Sequence, residues 1–407
     1  MSDCSHRVYR VLFRMASAAS APQEILERII RYAATSALDV PSKSWRLRYF
    51  PSRNATQAIG QLPLVNRHWN EVATRILYWE LVVNELRQEE SSVTLSRNDL
   101  LTRTLEDSPR LQAHVRSLRL NTWTTDINDR GQLEWSSLRL LRCCPLVQHI
   151  WIHGWIPPLL DEFHTTIAAF TALRYLSIQA FTDYRDPFCS FERLKAMMKG
   201  WPNLERLNIG ARVITDDDDG NDSARSTPIP PMNKHTARLT LFDLSCLEGF
   251  TRITPNLVEL SLWIRGDPKP FLLHAQKWKH TLRCLKLSVR LATTDTQWRA
   301  MMMALCGFER LQRLRIRALF PLALLELPDT LEEIKFMVRS VDLLVLFDIL
   351  DQKLPHSIRT VKISVNYPHP STTNAQRDLE SDFRAFCTKR QWKWLVYNSH
   401  KFRISTS

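Results

Sequence analysis

The residues of this chain best suited to bind a ligand are basic side chains that recur at one position of a repeated sequence pattern. Lys286, Arg315, Lys335 and Lys362 each stand between two apolar residues, in four consecutive copies of that pattern. A row of lysine and arginine binds anions, because each side chain brings a positive charge and N–H donors to carboxylate or phosphate oxygens. The chain has a formal net charge of +13, so an acidic partner is the expected ligand.

Earlier copies of the pattern are aromatic or polar near the same position. Arg119 and Trp151 occupy it in two copies, and Tyr175 stands two places before it in the next. We interpret the aromatic residues as anchors for a bound segment, since aromatic side chains dominate many interfaces. The alternative is that these positions are simply the solvated side of a sheet. The candidate target-binding residues are Arg119, Trp151, Tyr175, Lys286, Arg315, Lys335 and Lys362.

No motif for catalysis or for a cofactor is found in the sequence. It has nine glycines in all, and it lacks a phosphate-binding loop, Gly-x-Ser-x-Gly and His-Glu-x-x-His. His149 and His153 are four residues apart but have no third ligand at zinc spacing. The acidic run at 216–219 lacks the glutamate that closes a calcium-binding loop, because Ser226 stands there. We expect a non-catalytic protein with no metal and no cofactor.

The elements that must position the basic row are strands, because the repeated pattern is apolar-x-x-apolar-x-apolar. Its first positions lie 20 to 32 residues apart, with a single gap of 53. Alternation predicts strands with one buried side, and helix-like segments separate the copies. A weak extra strand at 239–241 and a closing strand within 392–397 are also predicted. The copies begin at Val115, Val147, Leu173, Leu204, Leu257, Leu282, Leu311, Leu331 and Ile358.

This period and pattern resemble those of leucine-rich repeats. The resemblance implies an α/β fold, a curved solenoid in which parallel strands line the concave side and helices the outer side. Residues 111–400 are assigned to it, and the basic row then lies on the concave face. Within it, the acidic and proline-rich stretch 214–236 has little to bury and is expected to be a disordered loop.

Two short amphipathic segments precede the repeats. Pro22 and Glu24 suit the first turn of a helix. Ile25, Leu26 and Ile29 then follow at helical spacing. A second helix is predicted from the steps of three and four residues between the apolar positions Val65, Trp69, Val72 and Ile76.

These segments resemble an F-box, whose pattern runs Leu-Pro-x-Glu-Ile-Leu-x-x-Ile, then a Val-x-x-x-Trp helix and a Leu-Trp close. Ala21 departs from it where leucine is usual, and an inserted loop at 35–58 lengthens the gap between the helices. We place the module at 20–82, after a disordered lead-in at 1–19 and before a linker helix at 83–110. The residues that match the pattern are Pro22, Glu24, Ile25, Leu26, Ile29, Val65, Trp69 and Trp79.

The F-box resemblance implies a substrate-recognition subunit of an SCF-type ubiquitin ligase. Such a subunit holds a Skp-type adaptor, which bridges to a cullin scaffold, while its repeats hold a target protein. By matched position, the adaptor-binding residues would be Pro22, Ile25, Leu26, Ile29, Val65, Trp69 and Trp79. The target is expected to be acidic or phosphorylated.

Two other interpretations stay open on the sequence. A basic solenoid could bind nucleic acid or another acidic partner as a non-ligase scaffold, although its basic row lacks the interleaved aromatics typical of single-strand binding. The N-terminal helices could also be a plain cap on the repeats. Scattered cysteines without Cys-x-x-Cys indicate a reducing compartment, so we expect a cytoplasmic or nuclear protein. The longest apolar runs are too short to cross a membrane.

Overall fold

The structure is a computed structural model, and the chain divides in it into two compact units, Met1–Ile150 and Trp151–Ser407. Each unit is described by itself. The structure describes residues 22–28, 67–84, 97–121, 126–127, 133–134, 136–155, 157–180, 187–215, 236–242, 244–264, 267–289, 295–317, 327–339, 357–366, 381–382, 385–386, 388–389 and 396–398.

The first unit combines helices with the start of a parallel sheet. Residues 23–28 are helical. Strand β1 pairs in parallel with β2, with Glu80 opposite Ser117, while β3 and β4 form a small antiparallel pair. The elements are α1 (Arg67–Trp79), β1 (Glu80–Asn84), α2 (Arg97–Glu106), α3 (Pro109–Gln112), β2 (Ser117–Asn121), β3 (Asp126–Ile127), β4 (Leu133–Glu134), α4 (Ser136–Arg142) and the beginning of β5 (His149–His153).

A small apolar cluster joins the helical segment 23–28 to α1. Trp69, Val72 and Ala73 lie on one face of α1 and are buried together with Leu26. Beside them, the guanidinium of Arg75 donates a hydrogen bond of 2.5 Å to the carboxylate of Glu27. The two segments that sequence spacing made amphipathic therefore pack on each other.

The linker helix that the sequence predicts for residues 83–110 is wrong at its start. Val83 and Asn84 belong to β1, and helix begins within the described part of that range at Arg97. Leu81 and Val83 are buried, as the inner positions of a repeat strand would be. Tyr78, Leu81 and Val83 in fact match the repeated pattern, so the sheet begins one copy earlier than predicted.

The second unit contains a long run of parallel strands. Their order in the sheet is β5-β6-β8-β10-β11-β12-β13-β14-β15-β16, and each pair with a described register from β6 to β16 is parallel. The strands are β6 (Tyr175–Gln179), β7 (Cys189–Ser190), β8 (Arg206–Gly210), β9 (Val213–Ile214), β10 (Arg238–Leu241), β11 (Glu259–Ile264), β12 (Cys284–Val289), β13 (Arg313–Arg317), β14 (Glu333–Arg339), β15 (Thr360–Asn366) and β16 (Val396–Asn398).

Helices connect β5 to β6, β6 to β8, β10 to β11, β11 to β12 and β12 to β13, as the periodicity predicts. Short strands β7 and β9 pair with each other outside the main sheet. The helices of the second unit are α5 (Leu160–Ala168), α6 (Phe191–Lys199), α7 (Leu247–Ile253), α8 (Lys269–His274) and α9 (Asp295–Cys306), with 3-10 turns at Pro157–Leu159 and Ala275–Trp278.

Buried tryptophans form hydrogen bonds between successive repeats, and the backbone at Gly200 packs closely against the repeat before it. The indole N–H of Trp201 donates to the carbonyl of Ile167, and that of Trp278 to the carbonyl of Thr254, both at 2.7 Å. Gly200 ends α6 against the preceding repeat, where an added Cβ would lie 2.2 Å from the carbonyl oxygen of Ala168. A side chain at this position would therefore force two repeats apart.

The α/β class with a large parallel sheet is confirmed, and so are the extra strand, now β10, and a closing strand at β16. The lead-in at 1–19, the insertion at 35–58 and most of the loop at 214–236 lie outside the described residues. At the ends of that loop, Ile214 belongs to β9 and Thr236 is buried, its hydroxyl donating to the carbonyl of Leu204. No helix within the described segments has the length and apolarity needed to cross a bilayer.

Candidate functional site

The side of the second unit's sheet that faces away from its core carries the predicted target-binding residues. We call it the outward face and define it by the first, third and fifth positions of the main-sheet strands, from Trp151 on β5 to Lys362 on β15; where the side chains are described, these positions alternate with core residues. The third positions form its middle row. In strand order the middle row is Trp151, Ser177, Asn208, Thr240, Ser261, Lys286, Arg315, Lys335 and Lys362.

The four basic residues predicted from sequence are neighbours in the middle row. Lys286 stands opposite Arg315, Arg315 opposite Lys335, and Lys335 opposite Lys362. Adjacent strands lie about 4.8 Å apart. The alternation of the sequence is sufficient to bring these residues together, because a period of two fixes the side of the sheet.

The ends of this basic row are neutralised by carboxylates of the same face. Lys286 forms an ion pair with Glu259, and the ammonium of Lys362 lies 2.8 Å from the carboxylate of Glu333. Burial alone would raise the pKa of Glu259, but the hydrogen bond and charge of Lys286 outweigh it and the pKa is lowered. The charges of both end lysines are therefore largely used within the protein.

The centre of the row is β13, whose arginines differ from the two end lysines. Arg313, Arg315 and Arg317 alternate along β13, and none of them pairs with a carboxylate of the described residues. The Nε of Arg315 is buried without a hydrogen-bond partner in the same part of the chain. Burial lowers the pKa of Lys335, and the charges of Arg315 and Lys362 lower it further, against the opposing charge of Glu333. An anion placed at β13 would relieve this repulsion.

The balance of charge over the neighbouring strands has the same sign. The first, third and fifth positions of β10 to β15 hold seven basic residues and two acidic ones. The acidic residues are Glu259, which is separated from β13 by Cys284 on β12, and Glu333, which stands opposite Arg313 and pairs with Lys362. A cationic ligand would be repelled here, and an anionic one would be attracted.

An aromatic pair lies at the other end of the outward face. The rings of Trp151 and Tyr175 have centroids 4.7 Å apart and are tilted by 44°. The guanidinium carbon of Arg206 lies 5.4 Å from the centroid of the Tyr175 ring, in cation–π geometry. Both rings are half-buried, so each keeps part of its surface for a ligand.

A second aromatic pair supports the basic centre. Phe242 and Trp263 stack with centroids 4.6 Å apart, and the guanidinium carbon of Arg317 lies 5.6 Å from the centroid of Trp263. Trp263 and Arg317 stand on strands separated by β12, where Ser288 occupies the matching position. The small serine lets the two larger side chains meet, and the ring positions the arginine.

Sequence reasoning missed three contributors to this face. Arg206 and Phe242 were missed, although the strand positions indicate both. Arg206 stands opposite Tyr175, and Phe242 directly follows Leu241, the last residue of β10. Glu259 was overlooked as the partner of Lys286, although it stands in the adjacent strand. The sequence showed the middle-row residues between the aromatic pair and the basic row only as polar. In the structure two of them bind each other, because Asn208 donates a hydrogen bond of 2.9 Å to the hydroxyl of Ser177.

Arg119 is not part of the site just described, because it belongs to the first unit. Its guanidinium Nε lies 2.8 Å from the carboxylate of Glu80 on β1, and its side chain is 13% exposed. Burial raises the pKa of Glu80, although the charge of Arg119 and its hydrogen bond oppose that shift. The charge of Arg119 is matched within its own unit.

The predicted adaptor-binding residues divide into buried and exposed ones. Leu26 and Trp69 are 1% and 2% exposed and form the core of the helical cluster, whereas Ile25 is 47% exposed and Pro22 is exposed beside it. Trp79, at the end of α1, is half-buried. Ile29 and Val65 lie outside the described residues. Among the described residues of this cluster, Ile25 is thus the large apolar side chain most exposed to solvent.

Among the described residues, no cluster of three or more histidine, cysteine, aspartate or glutamate side chains is placed to hold a metal ion. The sequence matches no protein-family model, and no curated protein is similar to it. The two features that bear on function are the outward face and the exposed Ile25 of the helical cluster.

Proposed function

We propose that this chain is a substrate-recognition subunit of an SCF-type ubiquitin ligase. In this proposal the F-box-like module at 20–82 holds a Skp-type adaptor, and through it a cullin scaffold. The repeat array, proposed to be of the leucine-rich-repeat kind, holds a target protein on the outward face. The observation that carries the proposal is the arginine row of β13, which forms no ion pair with a carboxylate among the described residues.

The adaptor half is supported by the exposure of Ile25. A large apolar side chain in solvent is tolerated singly, but beside exposed Pro22 it gives a small apolar surface next to a rigid core. The helical cluster is too small to be stable by itself and gains from covering that surface with a partner. Leu26 and Trp69 act on the adaptor through their packing, which holds Ile25 in place.

The target half is supported by charge. The partner's segment must bring negative charge to β13, from acidic residues or from phosphoryl groups, which arginine binds through paired N–H donors. In this role the protein makes and breaks no covalent bond. It raises the effective concentration of the target near the ubiquitin-loaded enzyme, as a bivalent linker does.

Co-expression with a Skp-type adaptor, followed by size exclusion, tests the adaptor half. Wild-type protein is expected to elute as a one-to-one complex, and Ile25→Asp is expected to lose the adaptor while keeping its own thermal unfolding curve. Leu100→Asp is the matched control, since Leu100 is 51% exposed in the same unit. An adaptor retained by Ile25→Asp, or lost equally in the Leu100 control, would contradict the proposal.

Single-stranded nucleic acid is the second candidate ligand of the outward face, because arginines lie over aromatic rings in two places. Salt separates the two candidates. Affinity for an oligonucleotide falls steeply with added salt, with a slope that counts the phosphates neutralised. A slope of that kind with an oligonucleotide, and no binding of acidic peptides, would favour the scaffold interpretation over the ligase.

A further inference from the structure

We propose that the outward face of the second unit binds one extended protein segment through two separate subsites. The first takes an uncharged apolar or aromatic residue at Trp151 and Tyr175, and the second takes an acidic cluster at β13. About eight residues separate the two. This inference rests on the proposed use of this face for the target, and it does not depend on the adaptor.

The chemistry of the first subsite follows from its ring pair and its neighbour. Two tilted, half-buried rings offer an edge and a face that an aliphatic or aromatic side chain can cover. Arg206 lies over the Tyr175 ring and already occupies its cation–π position. A lysine or arginine of the ligand would be repelled by this charge, so the anchor residue is not basic, and the ring surfaces favour an apolar or aromatic one.

The chemistry of the second subsite follows from the contrast within the basic row. Lys286 and Lys362 are held by Glu259 and Glu333, so a ligand gains less by approaching them. The arginines of β13 have no such partners in the described residues, and Trp263 holds Arg317 in position. The acidic cluster therefore belongs over β13.

The middle row between the two subsites is suited to an unspecific connection. Ser177, Asn208, Thr240 and Ser261 are short, uncharged side chains. Asn208, Thr240 and Ser261 are half-buried and can exchange hydrogen bonds with a peptide main chain, whereas Ser177 is buried and accepts its hydrogen bond from Asn208. The connecting residues of the ligand are therefore free to vary.

The spacing follows from the strand order. From the gap between β5 and β6 to β13 the sheet crosses five to six strand intervals, through β8, β10, β11 and β12. At about 4.8 Å for each interval this is roughly 26 Å. An extended chain covers about 3.3 Å for each residue, so about eight residues span the distance.

Binding through two linked subsites is stronger than through either one, because the second contact forms within the complex. A flexible connection of suitable length gives an effective concentration in the millimolar range, and one that is too short gives none. The length of the connection is therefore the property that separates a two-part site from two unrelated patches.

Fluorescence anisotropy with labelled synthetic peptides and the full chain tests the inference. The probe has one phenylalanine, an eight-residue Gly/Ser linker and five glutamates; a second version carries phosphoserines in place of the glutamates. Comparison peptides have alanine for phenylalanine, serine for the acidic residues, or a three-residue linker. We expect either acidic version of the full probe to bind at least about tenfold more tightly than each comparison peptide, and the tighter version identifies the source of the charge.

Variants of the protein assign each end of the peptide. Trp151→Ala is expected to reduce the full probe to the affinity of the peptide without phenylalanine, and to leave that peptide's own affinity unchanged. Arg315→Glu is expected to abolish binding of the full probe and of the peptide without phenylalanine. Leu273→Ala, at an exposed position of helix α8, is the control and should change nothing. Thermal unfolding of each variant shows that the fold is retained; if Arg315→Glu is unfolded, the exposed Arg317→Glu takes its place.

The contradicting results are distinct from a failure of the proposed function. If the full probe binds no more tightly than the peptide without phenylalanine, or if the short linker binds as well, the two-part site is wrong and a simple acidic target site remains. If no acidic peptide binds, both this inference and the target half of the proposed function are overturned. Tighter binding of a twenty-residue thymidine oligonucleotide, lost in Trp151→Ala, would assign the face to nucleic acid instead.

Discussion

The helical cluster of the first unit and the outward face of the second unit keep different kinds of residue available for a partner. In the cluster, packing consumes Leu26 and Trp69 and leaves Ile25 exposed. On the outward face, ion pairs consume Lys286 and Lys362 and leave the arginines of β13. In both regions the residues that the fold does not use itself are the ones that a partner can use. Packing into the core thus decides which apolar residues remain available to a partner, and ion pairs within the face decide which charged residues remain available.

The largest expected effect separates core from surface in the helical cluster. Trp69→Ala should lower the free energy of unfolding of this region by roughly 3–5 kcal/mol, because a buried tryptophan is replaced by a cavity. Ile25→Ala should change it by less than about 0.5 kcal/mol, as surface substitutions do. Urea denaturation followed by far-UV circular dichroism, which does not rely on tryptophan fluorescence, measures both changes in the free energy of unfolding. Equal effects of the two substitutions would erase the distinction drawn between the residues.

The next effect concerns His164, a titratable side chain that is buried in the second unit. His164 on α5 is 4% exposed, and burial, with a smaller contribution from the charge of Arg193 and against that of Asp161, lowers its pKa from 6.5 to about 4. The unfolded chain therefore takes up a proton in a range where the folded chain does not. Stability should fall as the pH drops from about 6.5 to 4, by up to roughly 3 kcal/mol, and level off below that range.

Urea midpoints measured across that pH range check this prediction. His164→Phe, which can pack against the neighbouring Phe163 and Phe188 rings, should flatten the profile between pH 6.5 and 4. The exposed His280 provides the matched control, and His280→Phe should keep the slope. An unchanged slope in His164→Phe would show that the acid sensitivity arises elsewhere.

A smaller effect compares the centre and the end of the basic row. Arg315→Ala should weaken binding of an acidic peptide by about tenfold or more, equivalent to about 1.4 kcal/mol, as the loss of a charged hydrogen bond does. Lys286→Ala should weaken it by less, because Glu259 already neutralises that lysine. Anisotropy titrations at one fixed salt concentration give both values. The reverse order would place the anion site at the end of the row.

The smallest effect has the opposite sign. Glu259→Gln removes the carboxylate that pairs with both Lys286 and Arg238. The freed lysine should join the anion site, and affinity for the acidic peptide should rise by a few fold. The same titration measures it, with Glu205→Gln, an exposed acid paired with Arg174 off the outward face, as the control. A decrease in affinity would mean that Glu259 serves mainly to position Lys286 for the ligand.

Sequence reasoning was most informative where the structure has a period of two. Alternation assigned each residue of β12 to β15 to one side of the sheet, so the basic row was predicted together with its register. It did not predict that Glu259 pairs with Lys286, because the two residues lie on neighbouring strands that are distant in sequence. The same limit explains why Arg206 was missed beside Tyr175.

Helical spacing was less informative for the first unit. Ile25 and Leu26 are consecutive and equally apolar, and a period of 3.6 residues places both near the same stripe. The partner helix decides which of them is buried, and in the structure Trp69 and Val72 take Leu26. Strand β1 was missed because its pattern starts within α1, at Tyr78, where a helical interpretation had already been made.

The measurement that tests the central claim most directly asks whether one molecule joins an adaptor to an acidic segment. A Skp-type adaptor is immobilised, loaded with the full chain, and washed with a fluorescent acidic peptide. The account predicts that the peptide is retained by wild-type protein, that Arg315→Glu retains the chain but loses the peptide, and that Ile25→Asp loses both. A chain that binds the peptide in solution but is not held by the adaptor would contradict the ligase assignment and leave an acidic-segment scaffold.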